Sequence, residues 1–419
     1  MKKLLLVLAL FTMFFALSAC GTTDDTEESV HSQGVTDTEI RIGNTAVTGG
    51  ALGFVGAPFI AGMQAYINMV NEDGGVLNGR LIRLVHYSDN FDGDQGLTYT
   101  QRLVEVDKVF AMVGHFGTPT VGATAQYLDG LGVPRVYYGT GSSLVYNENA
   151  TGGERASFPV QPVYEFEGEL MAARAVDQFG AQKIGVLYTP NENGNEIKAG
   201  VERMAQTLGV DVFSAQVSGT DYASAALAIV NADVDVVIVA MNQWAAQAGL
   251  INLGLSGSTV PAIISYVGAD ASVIDGIKDF WGAMNFDIFA NAWVSTLDES
   301  GELTDAFKEF QTQIARAHPE YINNSFAVAG WIAAQVFVEG LKLMDEDEPI
   351  TWENFINAME SQPFEYDLGA PIDYTNGQRT GTKILSLLQM HYDAEAGGYF
   401  DVVAAFEHLD DIVARIQAD

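Results

Sequence analysis

Hydrophobic residues follow two different periods along the chain from residue 39 onward. Short apolar runs rich in β-branched residues predict strands, and the longer stretches between them carry apolar residues three and four apart, as at Phe59, Met63 and Tyr66. The predicted strands span residues 40–42, 81–85, 109–113, 133–138, 184–188, 234–240 and 262–266. Strands that alternate with helices indicate parallel sheets, and continuous apolar strands indicate that helices cover both sheet faces.

This alternation occurs twice, over residues 39–140 and again over 183–266, with a Gly- and Pro-rich crossover at 152–162. We therefore predict an α/β protein with two similar doubly wound parallel-sheet lobes. Beyond residue 300 the pattern predicts three helices, two late strands and a last helix that ends near Ile416. The first five of these elements span residues 302–317, 325–344, 351–361, 384–392 and 399–406, with Thr351 as the cap of the third helix.

The first twenty residues have the pattern of an export signal. Lys2 and Lys3 precede an apolar run at 4–17, which is shorter than the roughly 18–20 residues that a bilayer-spanning helix needs. The Leu-Ser-Ala-Cys sequence that follows ends at Cys20 and resembles the bacterial lipobox. We therefore expect residues 1–19 to be a lipoprotein signal peptide and Cys20 to carry a lipid that anchors an exported protein to the cell membrane. An incidental cysteine after an ordinary signal is the alternative.

Charge and cysteine content narrow the possible partners. Residues 20–38 are polar and acidic, which predicts a flexible tether. Over the whole chain 54 acidic residues outnumber 20 basic ones, and the net charge is −34. A nucleic-acid partner would need a basic surface, so this class is excluded, and strong net charge favours a soluble monomer. Because Cys20 is the only cysteine, lipidation leaves none for disulfides or thiolate metal ligands.

Residues suited to catalysis or metal binding do not form a recognisable motif. The six histidines lack the spacing of a zinc-binding helix, and the sequence contains neither a GxSxG nucleophile motif nor a P-loop. Asp89, Asp92 and Asp94 do not match an EF-hand loop, and we expect Asp94 to cap a helix instead. We therefore predict a protein that is not an enzyme and that uses no metal or cofactor.

Four segments follow predicted strands at their carboxyl ends, where open α/β sheets bind ligands. They are residues 48–54, 114–120, 139–143 and 242–244. They offer hydroxyls, amides, bare backbone and the aromatic side chains of Phe54 and Trp244, which is the composition of a largely apolar pocket with a few fixed polar groups. Core packing is an equal alternative for either aromatic residue alone. The 139–143 loop is equally typical of an anion-binding loop and of an ordinary tight turn.

The order of these segments resembles a known family. The opening segment reads IRIGNTAVTGGALGFVGAPFIAGMQAYINMVNEDGGVLNGRLIRLVHYSDN, in which GGVLNGR is the most specific piece. VGHFGTPTVGATAQYLDGLGVPRVYYGTG follows, and the similarity continues through YASAALAIVNADVDVVIVA and NNSFAVAGWIAAQVFVEGL. Over nearly all of residues 39–405 the chain resembles the extracytoplasmic solute-binding proteins of branched-chain amino acid type ABC importers, the Leu/Ile/Val-binding family.

The resemblance implies a clamshell of the periplasmic binding protein type 1 fold, in which two lobes joined by three hinge strands close on a small-molecule solute. The first lobe would comprise residues 39–160 and 291–380, and the second 161–290 and 381–419. Closure would deliver the solute to the membrane permease of an ABC importer. A ligand-sensing module for a membrane receptor would have the same fold, and an exported enzyme with this fold is a third possibility.

The resemblance also implies ligand positions. The hydroxyl that meets the ligand carboxylate corresponds to Thr118, and the aromatic residue after the first turn corresponds to Phe54. The remaining expected ligand-binding residues are Gly139 and Gly141 with the adjacent Ser142, Tyr164 in the segment Gln161-Pro162-Val163-Tyr164, Asn193, Asn242, Trp244 and Asp270. The acidic residue that receives the ligand ammonium corresponds to Val267, so Asp270 would replace it only if the loop shifts.

The missing acidic residue has a consequence for the ligand. A buried ammonium without a carboxylate partner costs several kcal/mol. The sequence therefore favours an amide or a small or aromatic carboxylate over free leucine, isoleucine or valine. Asn193, Asn242, Gln243 and Trp244 would suit such a neutral or carboxylate ligand with a planar part.

Overall fold

The computed structural model describes residues 30–298, 300–395 and 397–418. The predicted signal peptide and Cys20 lie outside the described residues. The described chain begins attached to the first of two sheets. The side-chain amide of Gln33 donates to the carbonyl oxygens of Val104 at 3.1 Å and Val109 at 2.9 Å, and the backbone N–H of Ser32 donates to the carbonyl of Ile350 at 3.0 Å. The end of the predicted tether is therefore packed against the fold.

The first sheet has five parallel strands in the order β2-β1-β3-β4-β5. They are β1 (Glu39–Ala46), β2 (Leu81–Ser88), β3 (Ala111–Phe116), β4 (Arg135–Gly139) and β5 (Ser157–Phe158). The helices that connect them are α1 (Gly53–Glu72), α2 (Gly93–Glu105) and α3 (Thr118–Leu131). Every residue of β3 is buried, as its apolar run predicts for a central strand covered on both faces.

The second sheet has seven strands in the order β12-β11-β10-β9-β8-β6-β7. They are β6 (Lys183–Tyr188), β7 (Asp211–Gln216), β8 (Val236–Ala240), β9 (Ala262–Ile264), β10 (Ile288–Ala292), β11 (Ile384–Asp393) and β12 (Gly397–His408). The strands from β6 to β10 are parallel, whereas β11 is antiparallel to both β10 and β12. The second sheet is therefore mixed rather than parallel, because a short turn joins β11 to β12 and leaves no room for a crossover.

Helices from both halves of the chain cover these sheets. The second sheet is covered by α4 (Tyr164–Phe179), α5 (Glu192–Leu208), α6 (Tyr222–Asn231), α7 (Gln243–Leu255) and α8 (Ala271–Ile277), followed after β12 by α12 (Leu409–Ala418). The late helices α9 (Asp305–Ile314), α10 (Ser325–Lys342) and α11 (Trp352–Met359) return to the first sheet. We call the first sheet with its helices the first lobe, and the second sheet with its helices the second lobe. This arrangement confirms the predicted two-lobed α/β fold.

The closest helix contact in the first lobe joins α1 to α10. A Cβ atom on Gly62 would lie 1.8 Å from the carbonyl oxygen of Ala327, and one on Gly330 would lie 1.9 Å from that of Phe59. Only glycine permits this approach of two backbones. Among the described residues, Gly50–Glu72 has the length and apolarity of a membrane-spanning helix, but its contact with α10 is that of a core helix.

Two helix caps were predicted, and one of them is wrong. Thr351 caps α11 as predicted, with its hydroxyl oxygen accepting from the backbone N–H of Asn354 at 3.1 Å. The cap of α2 is Asp92, which accepts from the N–H of Gln95 at 2.9 Å, whereas Asp94 lies in the first turn. The helix begins at Gly93, two residues earlier than a cap at Asp94 would give, because the side chain of Asp92 supplies the capping acceptor.

The chain passes between the lobes three times, after β5, after β10 and before β11. Two of these passages are bonded to each other, since the N–H of Thr382 donates to the carbonyl of Val160 at 2.8 Å. The buried Arg379 lies beside them, with its guanidinium 4.7 Å from the ring centroid of Phe158 and in an ion pair with Glu360. These contacts fix the passages at the base of both lobes.

Candidate functional site

The carboxyl ends of the strands in the two lobes face each other, and we call the space between them the interlobe cleft. Phe54, at the start of α1, meets Trp244, at the start of α7, with ring centroids 6.2 Å apart and planes at 85°. Phe54 remains 50 % exposed and Trp244 42 % exposed. This edge-to-face contact brings two predicted ligand residues together across the cleft. Core packing, the alternative for each, is excluded by their exposure.

A carboxylate that the sequence did not indicate joins the lobes at a second place. Glu196 of α5 accepts from the backbone N–H of Ser143 at 3.0 Å, from its hydroxyl at 3.0 Å and from the hydroxyl of Ser142 at 3.3 Å. Partial burial raises the pKa of Glu196 above its ordinary value. The hydroxyl of Ser142 therefore faces the second lobe. Glu196 follows Asn193 by three residues and so shares its helix face, which is the one signal that could have identified it.

Asp270 forms a third contact between the lobes. It caps α8, with one carboxylate oxygen accepting from the N–H of Ser272 at 2.8 Å. The other oxygen accepts from the N–H of Ser325 at the start of α10 in the first lobe, at 2.7 Å. Asp270 is buried. Both of its oxygens are thus bonded to backbone N–H groups, and the lobes are held against each other at three separate points.

Thr118 lies at the start of α3 on the first-lobe side of the cleft. Its hydroxyl is 2.7 Å from the hydroxyl of Thr140 in the loop after β4. The preceding residue, Gly117, has a φ of 97° and offers no side-chain cap. The first N–H groups of a helix need acceptors, and a bound anion is one that serves. The two hydroxyls and this uncapped helix start suit a carboxylate.

The two glycines of the predicted loop are required by close contacts. A Cβ atom on Gly139 would lie 2.4 Å from the ring of Phe116, and one on Gly141 would lie 2.5 Å from the hydroxyl of Tyr266. The carbonyl of Gly141 accepts from the N–H of Tyr164, the first residue of α4, at 2.8 Å. The loop is therefore packed against the chain passage that leads into the second lobe.

Tyr164 and Tyr266 form a stacked aromatic pair beside this passage, with ring centroids 6.1 Å apart. Burial raises the pKa of Tyr164 to about 12. The Tyr266 hydroxyl donates to the carbonyl of Pro162 at 3.0 Å and accepts from the side-chain amide of Gln161 at 3.1 Å. Tyr137 of the first lobe donates to the oxygen of the same amide at 3.0 Å. Sequence reasoning missed Tyr266 because it placed this residue inside a strand, whereas β9 ends at Ile264.

A buried carboxylate supports the loop that carries Tyr266. Glu167 accepts from the hydroxyl of Ser265 at 2.7 Å, from the N–H of Tyr266 at 2.6 Å and from the side-chain amide of Asn291 at 3.3 Å. Burial raises the pKa of Glu167 to about 7. Val267, at the position where the resemblance implies an acidic residue, is only half buried and brings no carboxylate. The carboxylate that is bonded to this loop is Glu167, which comes from α4.

The two predicted asparagines of the second lobe differ in their bonding. Asn242 caps α7, with its side-chain oxygen accepting from the N–H of Ala245 at 3.3 Å. Asn193 is 8 % exposed, and neither its Oδ1 nor its Nδ2 has a hydrogen-bond partner within the part of the chain that the structure describes. A buried amide without partners costs about 1–3 kcal/mol, so Asn193 is the polar side chain here with unused bonding capacity.

The first lobe carries a second buried polar network behind its strand ends. The ring of His115 lies between the hydroxyls of Thr45 at 3.0 Å and Thr124 at 2.8 Å, and burial lowers its pKa to about 3. Asp89 accepts from the hydroxyl of Thr120 at 2.8 Å. These bonds position the start of α3, and with it Thr118. In residues 30–298, 300–395 and 397–418, no cluster of three or more His, Cys, Asp or Glu side chains is suited to a metal ion.

Two α/β lobes that meet at their strand ends, joined by three chain passages and lined by hydroxyls, amides and aromatic rings, define a two-lobed solute-binding protein. Comparison with known proteins agrees. A family model described as periplasmic binding protein matches residues 39–395, so the chain belongs to this family. This is a family of binding proteins rather than enzymes, as the sequence predicted.

Individual relatives are distant. The chain is 24 % identical over 172 residues to a protein of Pseudomonas aeruginosa described as an amino acid binding protein, and the match spans 41 % of this chain and 45 % of that one. Among solved structures, it is similar to a Thermomonospora curvata protein described as a fatty acid ABC transporter substrate-binding protein, with 20 % identity and a TM-score of 0.74 over 90 % of this chain and 94 % of the other.

A second similar structure is a branched chain amino acid ABC transporter protein from Thermus thermophilus with bound valine. It has 16 % identity and a TM-score of 0.76, and the match covers 92 % of this chain and all of the other. At these identities the likeness to both solved structures establishes the fold.

Proposed function

We propose that this protein captures a small solute outside the cytoplasm, closes its lobes on it and delivers it to the permease of an ABC-type importer. The observation that carries this proposal is the unpartnered amide of Asn193 in a cleft whose two sides already touch through Phe54 and Trp244. A cleft lined by groups from two hinged lobes binds by closure, and a solute that contacts both lobes shifts the equilibrium toward the closed form. The similar structures from Thermomonospora curvata and Thermus thermophilus, which are both described as ABC transporter proteins, support the same function.

The proposed contacts come from both lobes. Phe54, Thr118, Gly139, Gly141 and Ser142 would contribute from the first lobe, which we assign to residues 39–160 and 291–380. Tyr164, Asn193, Asn242, Trp244 and Asp270 would contribute from the second lobe, which we assign to residues 161–290 and 381–419. We expect Thr118 and the uncapped start of α3 to receive the solute's oxygen, with Phe54 and Trp244 covering its planar part.

The descriptions of the two similar structures name chemically different ligands, since one has bound valine and the other is a fatty acid ABC transporter substrate-binding protein. A solute without an ammonium group fits this cleft better, because Val267 stands where an acidic partner would be needed and both oxygens of Asp270 are occupied. We therefore propose a neutral or carboxylate solute.

We further propose that Cys20 is the lipidated first residue of the mature protein and that residues from Cys20 to about residue 30 connect the lipid to the first lobe. The support is the lipobox-like sequence Leu-Ser-Ala-Cys and the attachment of Gln33 to the first sheet. A tether to one lobe would keep the protein near its permease and leave the second lobe free to move.

Native mass spectrometry of the full-length protein, purified from membranes of a bacterial host, tests both proposals at once. We expect a mass that corresponds to cleavage before Cys20 with lipid attached, and a second species with a small molecule bound. The Thr118→Ala variant should lose most of the bound species. An unprocessed or unlipidated chain would contradict the anchor. A protein that binds no component of a metabolite extract would contradict solute capture, and chemical conversion of the bound molecule would favour an enzyme.

A further inference from the structure

The unpartnered amide of Asn193 constrains the chemistry of the solute. Both its Oδ1 and its Nδ2 are buried, and neither is bonded to another described residue. The oxygen needs a donor and the nitrogen needs an acceptor. A solute that satisfied only one of them would leave the other as a buried unpaired group, at a cost of roughly tenfold or more in affinity.

Asn193 lies at the start of α5, which follows the carboxyl end of β6 at the cleft. It lies one helical turn before Glu196, and residues three apart occupy the same face of a helix. Glu196 contacts Ser142 and Ser143 across the cleft, so this end of α5 borders the first lobe. The start of α5 is held tightly there, because a Cβ atom on Gly194 would lie 2.1 Å from the carbonyl oxygen of Thr189 and 2.9 Å from that of Ala240.

Four carboxylates around the cleft are already bonded to the protein. Glu167 and Glu196 each accept three hydrogen bonds, and Asp89 and Asp270 each accept two. None of these four is left as the main partner of an ammonium group. A positively charged solute would therefore have to share a carboxylate that already accepts two or three hydrogen bonds from the protein.

We propose that the solute presents a neutral carboxamide edge, with one N–H donor and one carbonyl acceptor side by side, to the amide of Asn193. A carboxamide donates an N–H to Oδ1 and accepts from Nδ2, so both buried atoms are satisfied. A carboxylate offers no donor to Oδ1, and an ammonium offers no acceptor to Nδ2. This inference rests on the proposed function and names the solute class of that same cleft.

The test uses matched sets of compounds that differ only in the polar group. Isothermal calorimetry on the full chain would compare benzamide, benzoate and benzylamine, and likewise isobutyramide, isobutyrate and isobutylamine. We expect the carboxamide of at least one set to bind about tenfold or more tightly than its two partners. The Asn193→Leu variant should lose this preference, whereas Asn195→Leu, at an exposed position two residues further along α5, should keep it.

Thermal unfolding of each variant shows whether it is folded, and Asn193→Ala replaces Asn193→Leu if the larger side chain prevents folding. Equal or tighter binding of a carboxylate or an amine that is lost in Asn193→Leu would overturn the inference and leave solute capture intact. The same holds if a co-purified solute without a carboxamide is identified. Unchanged carboxamide affinity in the Asn193 variants would also overturn it. If no compound of either set binds and no solute co-purifies, both the inference and the proposed function fail.

Discussion

The buried polar side chains of this protein differ in whether other groups of the protein provide their hydrogen-bond partners. Asn242 and Asp270, two of the predicted ligand residues, also cap helices, and their side-chain oxygens accept hydrogen bonds from backbone N–H groups. Asn193 has a similar position at the start of a helix, but that helix is already capped by Asn191, which accepts from the N–H of Gly194 at 3.1 Å. The cap at Asn191 leaves Asn193 without a structural role in the hydrogen bonding of α5.

Glu167 gives the folded protein a measurable pH dependence. Its pKa rises from an ordinary 4.5 to about 7 in the folded state because it is buried. The folded protein then holds a proton that the unfolded chain releases, so the free energy of unfolding falls as the pH rises from about 4.5 to 7. We expect Glu167 to account for a loss of about 2–3 kcal/mol across this interval.

Urea unfolding of the wild type and of Glu167→Gln at pH 5, 6 and 7 checks this expectation. The variant should have a flatter pH profile, and Glu192→Gln, at an exposed position, should follow the wild type. Parallel profiles for Glu167→Gln and the wild type would show that Glu167 titrates near its ordinary value.

At the scale of elements, the helix starts at the cleft fall into two groups. The starts of α1, α3 and α4 have no side-chain cap, whereas α5, α7 and α8 are capped by an Asn or Asp side chain. Phe54, Thr118 and Tyr164 occupy the first or second positions of the uncapped helices. The first N–H groups of α1 and α4 are bonded to the carbonyls of Gly50 and Gly141. Of the three, α3 is therefore the place where we expect an oxygen of the solute to be received.

The close contact of α1 with α10 contributes to the stability of the first lobe. Gly330→Ala would place a methyl carbon 1.9 Å from the carbonyl of Phe59, which forces the helices apart. We expect a loss of about 1–3 kcal/mol in the free energy of unfolding. Gly130→Ala in α3 is the control, because a Cβ atom there meets nothing within 4 Å and should stabilise the helix by about 0.5–1 kcal/mol. Denaturant unfolding measures both, and equal effects of the two substitutions would contradict the close approach.

At the scale of the whole molecule, the lobes are joined through Phe54 and Trp244, through Glu196 and the 142–143 loop, and through Asp270 and Ser325. These contacts form between protein groups alone, so they lower the free energy of the closed arrangement before a solute adds its own contacts. The apparent affinity of a solute scales with the fraction of protein in the binding-competent form.

Removal of the Glu196 contact should therefore both shift the lobes toward the open arrangement and lower the affinity for the solute. We expect Glu196→Ala to increase the radius of gyration of the solute-free protein in small-angle X-ray scattering. Loss of hydrogen bonds to a charged group weakens closure by about 1.5–3 kcal/mol, which corresponds to an affinity lower by about tenfold or more. Glu192→Ala, exposed on the same helix, is the control. An unchanged radius of gyration with unchanged affinity would show that Glu196 does not stabilise closure.

The fold was largely predictable because apolar periodicity depends on burial, and the central strands are buried on both faces. The strand predicted at 234–240 corresponds to β8, whose residues are all buried. The edge strand β7 was missed because its residues are mostly half buried or exposed and include Asp211, Ser214 and Gln216, which interrupt the apolar pattern. The sequence did not predict the antiparallel direction of β11 either, since the direction of a strand in a sheet depends on which strands pair with it.

For the site, the sequence alone determined which segments follow the strands and therefore which residues lie at the cleft, because a parallel sheet places all of its carboxyl strand ends at one edge. Phe54 and Trp244 were found in this way. Only the tertiary structure decided which polar groups are already bonded. The partners of Asp270, Glu167 and Glu196 come from distant parts of the chain, with Asp270 bonded to Ser325. Which polar groups form hydrogen bonds depends on packing in three dimensions. Sequence spacing therefore could not show that Asn193 has no hydrogen-bond partner among the described residues.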